Sequence, residues 1–256
     1  MNFVQALFLA VLQGITEFLP VSSSGHLVIF QKLFGFKEAP LFFDILLHVG
    51  TFASIVAYFR RPLFGLLKFE KKDRRFISLI ILGTVPAVLV GLLAKNQIES
   101  SFNSLKMTGI SFLISALFLI STKWVNQINK ANKEITDIKA KDAFIVGIFQ
   151  AVAILPGVSR SGSTITGSLW QGFSSKTAFV FSFYLAMPAI LGAAVLEIKD
   201  ITAFSTSELW LGFLGLTVSA LVGYFALKFL DKILKSAKIW YFSFYCLVLG
   251  IILLFV

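Results

Sequence analysis

The sequence predicts an all-α integral membrane protein of two inverted-topology repeats, with six transmembrane helices plus two re-entrant helical hairpins. Three observations predict it: an apolar composition, two apolar segments broken by hydroxyl-rich turns, and a self-match at an offset of 137 residues. Of the 256 residues, 57% are hydrophobic and 14% are charged, and 29 are Phe. Soluble domains carry about 25% charged residues. No soluble interior hides this much apolar surface, so a soluble enzyme, a disordered chain and a disulfide scaffold are excluded. The single cysteine, Cys246, cannot pair within the chain. The start lacks a basic n-region, and Glu17 and Pro20 interrupt its apolar run, so it does not read as a cleavable signal peptide.

A spanning helix needs about 20 apolar residues. Six stretches approach that length: Leu41–Phe59, Phe76–Leu93, Met107–Thr122, Ala178–Leu196, Leu209–Leu230 and Ile239–Val256. Two regions depart from it. Phe3–Leu19 runs into Pro-Val-Ser-Ser-Ser-Gly-His and resumes at Leu27–Phe36. Ala143–Leu155 runs into Pro-Gly-Val-Ser-Arg-Ser-Gly-Ser-Thr, with a helix expected to resume from about Ser163. Non-helical backbone at membrane depth survives only where protein or a wet cavity satisfies it. Each region therefore reads as a re-entrant hairpin.

Shifted by 137 residues, Gln13 falls on Gln150, Ser22 on Ser159, Ser24 on Ser161 and Gly25 on Gly162. The spans align too: Leu41 with Ala178, Phe76 with Phe213, Met107 with Phe244. The chain divides into repeat one (about 1–122), a basic linker (about 123–141) and repeat two (about 142–256), within one polytopic membrane domain. A hairpin makes no net crossing. Three spans per half are an odd number, so the second half starts from the opposite side, as in transporters with inverted repeats. The charges give a separate reading. Loop 60–75 carries seven Lys/Arg, segment 123–141 five and segment 228–238 four. Lys32, Lys37, Lys95, Lys106 and Lys199 are the five basic residues set against those 16. By the positive-inside rule the 16-residue side is cytoplasmic, and both termini lie outside. The net charge of +10 thus speaks of orientation and the lipid bilayer, with no nucleic acid required.

Ionisable groups at membrane depth are costly and mark function. They are Glu17, His26, Asp44, His48 and Arg160; the structural alternatives are a Glu17–Arg160 ion pair or a hydrogen-bonded buried His. Gln13 and Glu17 share a helix face one turn apart, as do Asp44 and His48. A carboxylate and an amide oxygen suit a hard divalent cation, Mg²⁺ or Ca²⁺. Two His and a distant Cys suit zinc less. In the second break, Arg160 offers a planar fork to phosphate oxygens. Ser159, Ser161, Ser163 and Thr164 add hydroxyls, Gly157 and Gly162 allow close backbone approach, and a helix N-terminus favours an anion. In the first break, Ser22, Ser23 and Ser24 stand near Glu17 and His26, either of which could activate a hydroxyl. Ser23 is favoured as nucleophile with His26 as base; His26 itself and a metal-activated water stay open. The type-2 phosphatidic acid phosphatases also use Ser-Gly-His, but need a His where this chain has Thr166.

Gln-Gly-Ile-Thr-Glu-Phe-Leu-Pro-Val-Ser-Ser-Ser-Gly-His (13–26) and Pro-Gly-Val-Ser-Arg-Ser-Gly-Ser-Thr (156–164) resemble the two signatures of the undecaprenyl-pyrophosphate phosphatase (bacitracin-resistance protein) family. The resemblance covers nearly the whole chain. It implies interlocked inverted repeats, a homodimer and a divalent metal. It also implies removal of the terminal phosphate of a polyprenyl diphosphate in the bacterial plasma membrane, which recycles the cell-wall lipid carrier; bacitracin would compete for that substrate. Glu17 matches the essential acidic residue and Arg160 the diphosphate-binding arginine. Ser23 and His26 match the nucleophile or base, and Ser159, Ser161 and Thr164 the phosphate contacts. Position 13 is Glu in some members and Gln here, which removes one negative charge from the site. The rival function is a flippase for the lipid phosphate, which would not require the Ser/His/Glu hairpin.

Overall fold

A computed structural model describes residues 1–36, 40–66, 68–128, 132–197, 206–236 and 238–256. Lys37, Lys130 and Lys199, counted in the charge division, lie outside them. Among the described residues every regular element is helical. The helices are α1 (Phe3–Phe18), α2 (Ser23–Leu33), α3 (Leu41–Tyr58), α4 (Arg60–Leu66), α5 (Lys71–Leu93), α6 (Lys95–Phe102), α7 (Leu105–Ile128), α8 (Ala140–Val152), α9 (Arg160–Trp170), α10 (Ser175–Glu197), α11 (Thr206–Lys235) and α12 (Phe242–Leu254).

Five of them, α3, α5, α7, α10 and α11, are long and apolar enough to cross a membrane. The sixth expected span, Ile239–Val256, is instead a 3-10 turn, Ile239–Tyr241, followed by the 13-residue α12. Together they make one apolar helical run, Ile239–Leu254, shorter than the other five. Two short helices, α4 and α6, occupy what the sequence suggested were plain loops. Polar caps explain where α5 begins: Glu70 and Asp73 form a reciprocal capping box, so the helix starts five residues before the apolar run.

In lipid, helices associate through close packing and hydrogen bonds rather than escape from water. The pairs α3 with α11, α1 with α11, α5 with α8 and α7 with α12 form the main contacts. Ser54 Oγ donates to the Ala220 carbonyl at 2.7 Å and Ser219 Oγ to the Leu47 carbonyl at 3.0 Å, tying α3 to α11. Helices α5 and α8 touch backbone to backbone, since a Cβ on Gly147 would collide with the Gly83 carbonyl. Phe18, Phe112, Phe173, Phe181 and Phe183 are fully buried in the shared core.

The second helices of the two broken segments, α2 and α9, finish at opposite ends of α7. Phe8 of α1 packs on Phe30 of α2 and on Phe34 just after it, and Lys32 Nζ donates to the Asn103 carbonyl before α7. At the other end, Lys133 exchanges backbone hydrogen bonds with Gly172 and Ser174 just after α9. Arg75 donates to the carbonyls of Thr136 and Ile138, and Lys123 lies over the Trp240 ring. The three basic regions therefore meet at one end of the molecule.

Candidate active site

The tips of the two breaks interlock at the centre of the bundle. Both second helices start earlier than their apolar runs suggested, α2 at Ser23 rather than Leu27 and α9 at Arg160 rather than Ser163. The reason is capping: Ser22 Oγ accepts from the Gly25 N–H at 3.3 Å, and Ser159 Oγ from the Gly162 N–H at 3.1 Å. Ser23 and Arg160 thus sit in first helical turns, at the positive ends of two helix dipoles. Ser22 also accepts from the Gly157 N–H at 3.1 Å, across the two breaks. Ser22 holds φ +68°, a conformation that costs a non-glycine residue about 1–2 kcal/mol, and this cross-link stabilises it. Gly157 at φ +101° has no room for a Cβ, which would strike the Thr108 carbonyl. Ser115 on α7 clamps the same turn, donating to the Gly157 carbonyl and accepting from the Ser159 N–H.

Glu17, the last but one residue of α1, is the hub. Its Oε1 accepts from Arg160 Nη2 at 2.5 Å. Its Oε2 accepts from Ser23 Oγ at 2.5 Å and Gln13 Nε2 at 3.1 Å, and lies 3.6 Å from His48 Nδ1. Gln13 Nε2 also reaches His48 Nδ1 at 3.0 Å. Arg160 uses half of its fork on Glu17; its Nη1 is buried and without a partner. A cavity of about 260 Å³ opens beside these groups. Glu17, Ser22, Ser23, Ser24, Ser159 and Arg160 form its polar wall. Ala87, Ile98, Phe102, Ile190 and Ala193 form an apolar wall along α6 and the C-terminal halves of α5 and α10. A hydroxyl, its acceptor and a half-free guanidinium around one pocket are equipment for phosphoryl transfer.

The sequence pattern of the family "Bacitracin resistance protein BacA" matches residues 6–252. The chain belongs to the BacA family. It is 44% identical over 99% of its length to a Carboxydothermus hydrogenoformans protein named undecaprenyl-diphosphatase, covering 97% of that protein. It is 38% identical to one of the same name from Halothermothrix orenii (99% of this chain, 98% of the relative) and 40% identical to one from Alkaliphilus metalliredigens (100% and 99%).

Not every residue singled out in this BacA-family sequence reaches the pocket. His26 does not line the cavity. Its Nδ1 donates to the Ser22 carbonyl at 2.6 Å, and its Nε2 meets the Tyr245 hydroxyl at 2.6 Å, with the rings stacked. A carbonyl only accepts, so Nδ1 carries a proton and neither nitrogen is directed at Ser23. The hydroxyl of Ser23 finds Glu17 instead, because α2 begins at Ser23 and turns His26 towards α12. Asp44 pairs with Gln31 Nε2 at 2.9 Å and lies outside the cavity wall, while His48 one turn later lines it. Thr164 is buried against Ser182 and its own helix, and Ser161 bonds the Leu19 carbonyl. Gly162 supplies the cap contact to Ser159. These residues shape the breaks rather than line the pocket. Gln150, by contrast, lines the wall although it stands outside both motifs. Its alignment with Gln13 was the signal.

Among the described residues no three His, Cys, Asp or Glu side chains gather as a metal site. The fit to a hard cation rests on two donors, the Glu17 carboxylate and Gln13 Oε1, which is buried without a partner. Magnesium is commonly held by one or two carboxylates plus substrate phosphate oxygens, so this sparse set fits.

Proposed function

We infer that this protein hydrolyses undecaprenyl diphosphate to the monophosphate and inorganic phosphate, so returning the lipid carrier to cell-wall synthesis. It is a multi-pass membrane enzyme of the bacitracin-resistance type. The observation that carries the reading is the split fork of Arg160, one nitrogen on Glu17 and the other unpaired beside the cavity. The diphosphate occupies the polar wall, and the prenyl chain follows the apolar wall into the bilayer. Ser23 Oγ attacks the terminal phosphorus and passes its proton to Glu17 Oε2. The bond to the bridging oxygen breaks, and the lipid leaves as the monophosphate. Water then attacks the phosphoserine, the Ser23 Oγ–phosphorus bond breaks, one water proton returns to Oγ, and Glu17 releases the proton it took as the phosphate leaves. Arg160 spans carboxylate and phosphate, stabilising the equatorial oxygens as charge shifts. Gln13 and Glu17 would hold Mg²⁺ or Ca²⁺, which supplies further charge neutralisation. Purified protein in detergent is expected to release one phosphate per lipid. Detergent-solubilised protein that binds the lipid but releases none contradicts the reading.

The finer architecture is part of the same proposal: interlocked inverted repeats with re-entrant hairpins, three crossings per half, in a homodimer of the bacterial plasma membrane. The cross-packing of α1 on α11 and α5 on α8 supports the interlocking. The clustering of the basic regions at one end supports a cytoplasmic face there, with the pocket opening outward. On this reading bacitracin competes for the substrate outside the cell. A Cys introduced at 68–75 is then expected to react with an impermeant reagent only after the cytoplasmic side is opened; labelling in intact cells would reverse the orientation.

A further inference from the structure

Gln150, on α8, is 2% exposed and lines the cavity, and neither its Nε2 nor its Oε1 has a hydrogen-bond partner. Because both ends are orphaned, exchanging oxygen and nitrogen in the amide changes nothing. Its counterpart at the 137-residue offset, Gln13, is held by Glu17 one turn later and by His48. The offset places Ile154 opposite Glu17 and Leu185 opposite His48. Apolar residues therefore stand at both positions that would correspond to the groups satisfying Gln13. Ile154 is itself part of the cavity wall. A buried amide left unpaired carries its full desolvation cost, which a ligand in the cavity removes.

Resting on the phosphatase reading, we propose that the Gln150 amide is a diphosphate-binding group of this site. Nε2 donates to a phosphate oxygen of the substrate, and Oε1 accepts from a water molecule bound with it. The ligand's chemistry follows from the neighbours. Arg160, Ser159, Ser22 and Ser23 are donors on the same wall, and a diphosphate is a cluster of acceptors. A neutral donor adds a contact without disturbing the Glu17–Arg160 charge balance.

Gln150→Leu keeps the volume and removes both unpaired atoms. In purified full-length protein, its KM for undecaprenyl diphosphate and the inhibition constant of inorganic diphosphate are expected to rise together by about tenfold. The change in kcat is expected to be smaller. The melting temperature is expected to stay at or above wild type, which separates a binding role from a structural one. Gln150→Met serves in the same way if the Leu variant does not yield folded protein. KM and inhibition constant both within about twofold of wild type, in either folded variant, overturn the proposal. Wild-type protein that releases no phosphate fails the phosphatase reading instead, a result visible before any variant is made.

Discussion

In the first hairpin, the residue four places after the amide of Gln13 is Glu17, and the first residue of its second helix is Ser23. In the second hairpin the corresponding places hold Ile154 and Arg160. The frames are alike: each second helix has 11 residues and is capped by a serine that accepts from a glycine three residues on. The chemistry is not alike. One hairpin carries a carboxylate and a hydroxyl, the other a guanidinium, and they meet at Glu17. Duplicate frames set two helix N-termini against one anion site. In the proposed reaction, different side chains then divide base and nucleophile from charge stabiliser, and neither half holds a working set alone.

The largest effect is expected at the hub. Glu17→Gln keeps the shape but removes the charge opposite Arg160 and the acceptor of the Ser23 proton. We expect kcat to fall by about 10⁴, or about 5.5 kcal/mol in barrier. Phosphate release by folded, monodisperse protein measures it, and a loss below tenfold would move the base out of the first hairpin. Ser23→Ala follows, with a loss of about 10³ in kcat. An acid quench with labelled diphosphate is expected to trap acid-stable label on wild-type protein and none on the variant. Acid-labile, alkali-stable label at His26 would reassign the nucleophile. The smallest effect is expected at His26→Phe, which cuts the link from the first hairpin to Tyr245. Stability falls by about 1–3 kcal/mol as the Tyr245 hydroxyl and Ser22 carbonyl lose a partner. A fall in kcat of less than tenfold is expected there. A hundredfold fall in folded protein would restore His26 as the base.

Much of this comparison was legible in the sequence. Costly ionisable groups inside apolar runs pointed to Glu17 and Arg160, and hydroxyl-rich breaks pointed to the hairpin tips. What escaped was set by partners far along the chain. The hydrogen bond between His26 and Tyr245 joins residues 219 apart, so a local Ser23–His26 spacing gave no warning of it. Asp44 looked like part of the site because it precedes His48 by one turn, yet Gln31 on α2 holds it elsewhere. The starts of α2 and α9 were misplaced because a Ser/Gly-rich first turn has no apolar periodicity, and only the serine caps define it. The late start of α12 escaped because composition measures apolar length without showing that the turn before it, Ile239–Tyr241, is 3-10.

The central claim is that the two hairpins form one catalytic unit through Glu17 and Arg160. A double-mutant cycle on kcat/KM tests it most directly, using Glu17→Asp and Arg160→Lys so that residual activity stays measurable. Lys places a single charge where Arg bridges carboxylate and phosphate, so Arg160→Lys alone is expected to lose about 100-fold, or about 2.7 kcal/mol. Residues that act as a unit are non-additive. The double variant is therefore expected within about threefold of the poorer single variant. Losses that multiply across the two hairpins would mean that Glu17 and Arg160 act independently, and would contradict the account.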